Sequence, residues 1–463
     1  MNADTPSPVV RHNLRCITAD GATYSVMVGI GETYLPAFVL AVGLGELAAG
    51  LIAAVPMLGG AVLQLLAPLG VRRLGSLRKW VILCAAAQAL TFVPLVLAAV
   101  TGYAPTWFVF AVATLYWASG MATGPAWNTW VTQLIPARVR APYFARRTRV
   151  AQICLLVSLL AGGFTLNAMA GSSYVVLTFA VLFSVAGLAR LSSTRYLAGQ
   201  SETKQNVHEH RRVLPWELLR RAGRSADGTL LFYMLGVQLM AQVAGPFFTP
   251  YMLERLAFPY FTYTAIIATA FLSKIAVLPI LGRFARRFGA RRLLWVGGVA
   301  VVPLSAFWVV SDSIAYLLVV QVFAGMAWGA YELATLLLLF ESIREDERTS
   351  VLTAFNFLNA LATVAGALIG GALLKAFLAG GNAYYVIFLV SAVGRLFTLL
   401  PLMRVADLKP PPRPISLRTV AIRPSVGSID SPVLSSIANG NGNGSGHEHG
   451  GTDLDAASAS DGR

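Results

Sequence analysis

Four charged side chains stand inside otherwise apolar runs: Glu32, Lys274, Glu332 and Arg395. Charges at membrane depth are costly, and they face a bundle interior where they pair, bind solute or pass protons. Burial disfavours the charged form of a carboxyl group, so Glu32 and Glu332 are candidates for taking up and releasing a proton. Glu32 falls about eleven residues into its run, near mid-membrane at roughly 1.5 Å of rise per residue. The competing reading is a structural ion pair for each acid or, for Glu32, a carboxyl hydrogen-bonded across the interface between the halves. Lys274, in "AFLSKIAVLPI", could hold an anionic solute group or neutralise Glu32 or Glu332. Pairing is the favoured reading, because an unpaired buried ammonium is expensive. Arg395 and Arg190 read as snorkelling or interhelical braces.

Neutral groups could complete a site. Gln238 and Gln242 lie one helical turn apart and share a face. Asn128, Asn356 and Asn359 are further polar candidates, although amides in lipid commonly bond between helices. Trp127, Trp130, Trp328 and Tyr24 would give a cavity aromatic walls suited to a flat or amphipathic solute. Packing alone would also account for them.

The elements that must position these groups follow from composition. The 463 residues are 56% hydrophobic and 12% charged, where soluble domains carry about 25% charge. Mean hydropathy is +0.65. So little polar surface cannot cover a water-facing globule, and the chain must face lipid. Runs of about 20 apolar residues, enough to cross the hydrocarbon, fall near 21–43, 46–70, 79–101, 106–135, 147–169 and 172–194. Six more fall near 228–252, 260–283, 291–311, 314–340, 350–376 and 383–403. The expected organisation is a polar N-terminus (1–19), a six-helix half (20–196), a polar central loop (197–226), a second six-helix half (227–404) and a disordered tail (405–463) rich in Gly, Asn and Ser.

The net charge of +15 does not make this a nucleic-acid binder. Its arginines cluster between apolar runs: Arg72, Arg73 and Arg78 after the second, Arg138 to Arg149 after the fourth, Arg283 to Arg292 after the eighth. Such clusters mark cytoplasmic loops, so both termini are expected inside, in a cytoplasmic membrane. Cys16, Cys84 and Cys154 follow no metal spacing and imply no disulfide framework. No P-loop, HExxH or nucleophile elbow is present, which points away from an enzyme, from a cofactor and from a metal. "HEH" at 208–210 and 447–449 reads as chance in polar sequence.

The halves resemble each other. "GMATG" (120–124) returns as "GMAWG" (325–329), and "VLFSVAGLARL" (181–191) returns as "VIFLVSAVGRL" (386–396), both 205 positions on. "RRLGS" (72–76) returns as "RRFGA" (286–290), 214 positions on. At these offsets Glu332 occupies the place of Trp127. Gly120 with Gly124, and Gly325 with Gly329, permit close helix approach. Pro125 could kink the fourth run.

With twelve runs, a six-plus-six repeat and these loops, the chain resembles the major facilitator superfamily over about residues 12–405. The loop after the second run of each half is similar to that family's Gly-x-x-x-Asp-Arg-x-Gly-x-Arg-Arg/Lys. Here it reads "PLGVRRLGSLRK" (68–79) and "GRFARRFGARR" (282–292), with Arg72 and Arg286 at the Asp positions. The resemblance implies a loop gate at Arg72, Arg73, Gly75, Arg286, Arg287 and Gly289. The family's arginine of the fourth run is replaced, Tyr116 being nearest, and no Gly-Pro antiporter signature appears in "LLAGGFTLNAM" (159–169).

What the resemblance implies is a secondary transporter of a small amphipathic organic solute: an all-α integral membrane protein of twelve helices in two pseudo-symmetric halves, rocking about a central site by alternating access. Its partners would be a small-molecule substrate, the lipid bilayer and protons as coupling ion. Two other readings stay open: a lipid or lysolipid flippase, and a non-transporting sensor or scaffold with the same fold.

Overall fold

The computed structural model describes residues 8–135, 137–202, 215–221, 226–342, 348–377 and 381–404. The tail, most of the central loop and both "HEH" sites lie outside the described residues. Eleven described helices are long and apolar enough to cross a membrane. In the first half these are span 1 (Pro8–Ala41), span 2 (Glu46–Gln64), span 3 (Leu77–Thr101), span 5 (Arg146–Ala168) and span 6 (Val175–Ala198). In the second they are span 7 (Gly228–Arg255), span 8 (Tyr260–Ala285), span 9 (Ala290–Val309), span 10 (Ile314–Thr335), span 11 (Ala354–Phe377) and span 12 (Ala383–Met403). The helix Thr106–Leu134 takes the place of span 4 and completes the set of twelve. No strand occurs among the described residues.

Two boundaries differ from the sequence expectation. Span 1 begins at Pro8 rather than near 21, because its polar residues find partners on the end of span 6. Ser201 N donates to Asn13 Oδ1 at 3.0 Å, and His12 Nε2 lies 3.1 Å from Gly199 O. Hydropathy cannot see such pairing. The arginine cluster after span 4 is not a loop either: a single helix runs Ala137–Ala168, and it turns Arg147 inward, 6% exposed.

Contacts repeat between the halves. Span 4 packs on spans 2 and 3, and span 10 packs on spans 8 and 9. Span 1 packs on spans 5 and 6, and span 7 on spans 11 and 12. Between halves, span 5 meets span 8 and span 11 meets span 2, contacts that the same two-fold relation exchanges. Outward faces carry Phe164, Val181, Leu188, Phe397 and Leu400, all exposed, as lipid contact requires.

The two ends of the bundle are packed differently. Away from the arginine-rich turns, one apolar core joins the halves, with Phe38, Phe179 and Phe183 of the first half beside Phe247, Tyr263 and Phe388 of the second. Polar links reinforce it there: Tyr34 Oη to Thr264 Oγ1 at 2.9 Å, and Tyr384 Oη donating to Glu46 Oε2 at 2.5 Å. At the arginine-rich end the core formed by the described residues divides. One cluster, around Trp127 and Trp130, draws only on the first half. Another, around Leu294 and Phe355, draws only on residues after 217.

The repeated turns are built alike. Gly75 closes the helix Val55–Leu74 at φ +62°, and Gly289 precedes span 9 at φ +89°. Both dihedrals are ones that only glycine adopts cheaply. Gly289→Ala should therefore lower the melting temperature of the purified protein, by strain of about 1–3 kcal/mol. An unchanged melting temperature would mean the turn relaxes.

Candidate functional site

Glu32 is set by an irregularity in span 1. Residues Val28–Glu32 form a π turn, a feature that re-aims side chains and often marks function. Thr33 seals it, its N and Oγ1 both donating to Val28 O, at 3.1 and 3.0 Å. The glycines of "VGIGE" let the turn sit deep. A Cβ on Gly29 would come within 2.6 Å of Leu155 O, and one on Gly31 within 2.7 Å of the Phe92 ring. Glu32 is 5% exposed and its Oε2 accepts from Tyr116 Oη at 2.5 Å. The Tyr116 ring meets Phe92 edge-on at 5.6 Å. Tyr116 stands out in the sequence only as an absent arginine, and its role as the donor to Glu32 is visible only in the fold. Tyr116→Phe should cost about 1–3 kcal/mol, read as a lower melting temperature with the chain still folded. No change in that temperature would deny the bond.

A second polar cluster lies nearer the arginine-rich end of the same half. Asp20, 0% exposed, accepts from Ser193 Oγ at 2.6 Å. Ser193 in turn accepts from Arg190 Nη1 at 2.7 Å. Arg147 Nη2 stands 3.9 Å from Asp20 Oδ2, and its Nε donates to Ile17 O at 3.1 Å. The two guanidinium groups each cover a ring: Arg147 lies 4.7 Å from the centre of Trp127, and Arg190 lies 5.0 Å from the centre of Tyr24. Trp127 and Tyr24, expected as cavity walls, are thus the packed faces under two arginines. Below them Tyr143 donates to Leu14 O at 2.7 Å, and burial pushes its hydroxyl up to about 12, keeping it neutral.

Sequence reasoning misses Asp20 and Arg147 as site residues: Asp20 falls just before the first apolar run, and Arg147 counts in the arginine cluster after the fourth. A signal was available. Asn13, Ile17, Asp20 and Tyr24, all buried, repeat at the three-to-four spacing of one helix face. Of the two readings given to Arg190 and Arg395, snorkelling or bracing, their exposures of 0% and 4% fit the brace.

The second half holds an ion pair, Lys274 Nζ with Glu332 Oε2, at exposures of 23% and 10%. The "GMAWG" glycines make it possible. A Cβ on Gly325 would fall 2.9 Å from Lys274 N, and one on Gly329 3.4 Å from Lys274 Cγ. Span 10 therefore rests directly on span 8, and Glu332 follows Gly329 on that face. Gly325→Leu should overpack this contact by about 1–3 kcal/mol, seen as lost monodispersity or a lower melting temperature; wild-type behaviour would deny the close approach.

A pocket lies between spans 7, 8, 9, 10 and 12, capped by Thr33 and Pro36 of span 1 and Ala53 of span 2. Of the expected site residues it gathers Gln242 and Trp328. It adds Arg395, Gln321 and Trp308, which the sequence does not single out as ligands of one site. Lys274, Glu332 and Glu32 are not among its walls. Gln238 is spent on span 11, its Nε2 donating to Thr363 Oγ1 at 2.7 Å. Asn356 is buried on span 11, away from the pocket walls. The side chain of Asn128 lies outside the described residues, as does that of Arg286. Arg72 and Arg73 are exposed in the last turn of the helix Val55–Leu74, and Arg287 lies against Phe288 at 5.2 Å. Among the described residues none of these three bridges the halves.

Of the expected residues, Glu32 stands at a π turn, Lys274 and Glu332 pair between spans 8 and 10, and Gln242 and Trp328 line a pocket, while Trp127, Tyr24 and Gln238 are held in packing contacts. Comparison with known proteins gives this arrangement a context. The family profile described as "Major Facilitator Superfamily" matches residues 22–366 and 230–437. No curated protein matches the sequence. Among solved structures, a mutant of the nucleoside transporter NupG superposes with a TM-score of 0.67 at 12% identity, over 85% of this chain and 100% of that one. An auto-inhibited POT family peptide transporter gives 0.66 at 13% identity, over 88% and 99%. A bacterial homologue of the human lysosomal transporter Spinster gives 0.60 at 14%, over 88% and 100%. At these identities the likeness is one of fold.

Proposed function

Since this chain belongs to the Major Facilitator Superfamily, we propose that it is a secondary transporter that moves a small amphipathic organic solute across the cytoplasmic membrane by alternating access, with protons as the coupling ion. The observation carrying this reading is the unequal packing of the two ends. One core joins the halves away from the arginine-rich turns, while among the described residues separate cores serve each half beside them. Arginine-rich turns stay in the cytoplasm, so the packing describes a conformation closed outside and separable inside. Rocking the halves would close the inner end and break the outer links Tyr34–Thr264 and Glu46–Tyr384.

Glu32 serves this cycle as the proton site. It belongs to span 1, beside Thr33, which caps the pocket, so its charge state bears on the seam between halves. Lys274 and Glu332 act as the structural pair that fixes span 10 on span 8. The solute binds in the pocket of the second half, reached from the seam.

The test uses the full chain in proteoliposomes, with labelled organic acids, nucleosides and dipeptides. At least one solute should accumulate above equilibrium under an imposed pH gradient and leak back when an ionophore collapses it. Entry no faster than into protein-free vesicles, for every solute, would contradict the proposal.

A further inference from the structure

The pocket of the second half sorts by chemistry. Among its described walls Arg395 is the one cation, and there is no carboxylate. Gln242 of span 7 and Gln321 of span 10 bring amides; Trp308 of span 9 and Trp328 of span 10 bring flat apolar faces. Arg395 is held still. Its Nη1 donates to Val301 O at 3.0 Å, its Nη2 donates to Ser391 Oγ at 2.9 Å, and its carbon lies 5.9 Å from the centre of the Trp328 ring. A guanidinium carries five N–H donors in one plane, and a fixed cation away from water attracts an anion more strongly than the same charge in solvent.

The internal repeat sharpens the argument. Arg190 and Arg395 are the same residue at duplicated positions, 205 apart. In the first half an acid comes with the arginine, through the chain Arg190–Ser193–Asp20. The second half keeps the arginine and opens a cavity at the guanidinium. Lys274, the residue of the sequence best placed to hold an anion, is engaged by Glu332 and absent from the walls.

We propose that this pocket takes an organic anion: a planar aromatic body bearing one carboxylate, the acid on Arg395, the ring against Trp308 and Trp328, and any ring heteroatoms on Gln242 and Gln321. This rests on the transporter reading and adds the sign of the charge. Hydrogen bonds to charged partners are the stronger ones, so the acid group decides affinity and the ring decides shape.

The experiment compares indole-3-acetate with indole-3-acetamide, and benzoate with benzamide, on the purified full chain. Binding is followed by tryptophan fluorescence and by thermal shift. Each acid should bind at least about tenfold more tightly than its amide. Arg395→Gln should erase that difference and Arg395→Lys should restore part of it. Arg395 also braces Val301 and Ser391, so the glutamine variant could fail to fold. The wild-type acid–amide comparison and Gln242→Leu, which should weaken acids and amides alike, then carry the test. Amides binding as well as acids, or an acid preference surviving in Arg395→Gln, would overturn the assignment. Proteoliposomes separate the two claims. Acid binding without vectorial uptake would sink transport and leave the anion site. Uptake of neutral solutes alone would keep the transporter and sink the anion site.

Discussion

Glu32→Gln abolishes proton-driven accumulation while solute exchange between preloaded vesicles continues; this is the expected result with the largest effect on function. The carboxyl sits at a π turn, 5% exposed, with Tyr116 donating to it. Glutamine keeps the size and one acceptor oxygen but cannot exchange a proton, so it holds the site in its neutral form. Exchange needs only the loaded carrier to rock, and should survive. Net accumulation needs the proton to bind on one side and leave on the other. Coupling to a single proton can concentrate solute about tenfold per pH unit of gradient, since each unit is worth about 1.4 kcal/mol. In the variant that ratio should fall to one. Accumulation at the wild-type ratio would remove Glu32 from the mechanism and direct attention to Glu332.

Breaking the Lys274–Glu332 pair should have the largest effect on stability. Removing one member of a fully buried pair costs about 3–5 kcal/mol, because the survivor is left as an uncompensated charge. At 23% and 10% exposure this pair should cost less, yet it lies where span 10 rests on span 8. Lys274→Met and Glu332→Leu should each lower the melting temperature markedly. The double variant should recover most of the loss, since a well-packed apolar pair often replaces a buried ion pair without penalty. Additive losses in the double variant would show that the two charges do not act on each other. Transport in a stable double variant would confine the pair to a structural role; its loss would give Glu332 a part in coupling.

The fold was legible because its signals are long and repeated. Twenty-residue apolar runs, arginines in alternate turns and blocks such as "GMATG" and "GMAWG" do not depend on local detail. The close helix approach inferred from Gly325 and Gly329 is present against Lys274, and the pairing of Lys274 with Glu332 follows from the cost of isolated charge. The site was harder to read, for physical reasons. Asp20 and Arg147 look like surface charges in a hydropathy window, and only their mutual burial makes a membrane helix of the segment that carries Asp20. Trp127 and Tyr24 have the composition of a binding wall, but the same aromatic face serves equally under a guanidinium. Arg395 reads as a brace, and is one. That it also opens on a cavity depends on how spans 7, 9 and 10 part around it, which periodicity does not encode. Nothing in the spacing of "VGIGE" marks the π turn that aims Glu32.

The central claim is that the halves separate at the outer end in every cycle. It is tested most directly by a cysteine pair across that end. After replacement of Cys16, Cys84 and Cys154, which are all free thiols, Asn167→Cys and Phe261→Cys would place thiols on spans 5 and 8, where Phe261 N now donates to Asn167 Oδ1 at 3.4 Å. The account predicts that oxidation forms the bridge, stops uptake, and that a reductant restores it. Uptake at the unbridged rate through fully cross-linked protein would contradict it.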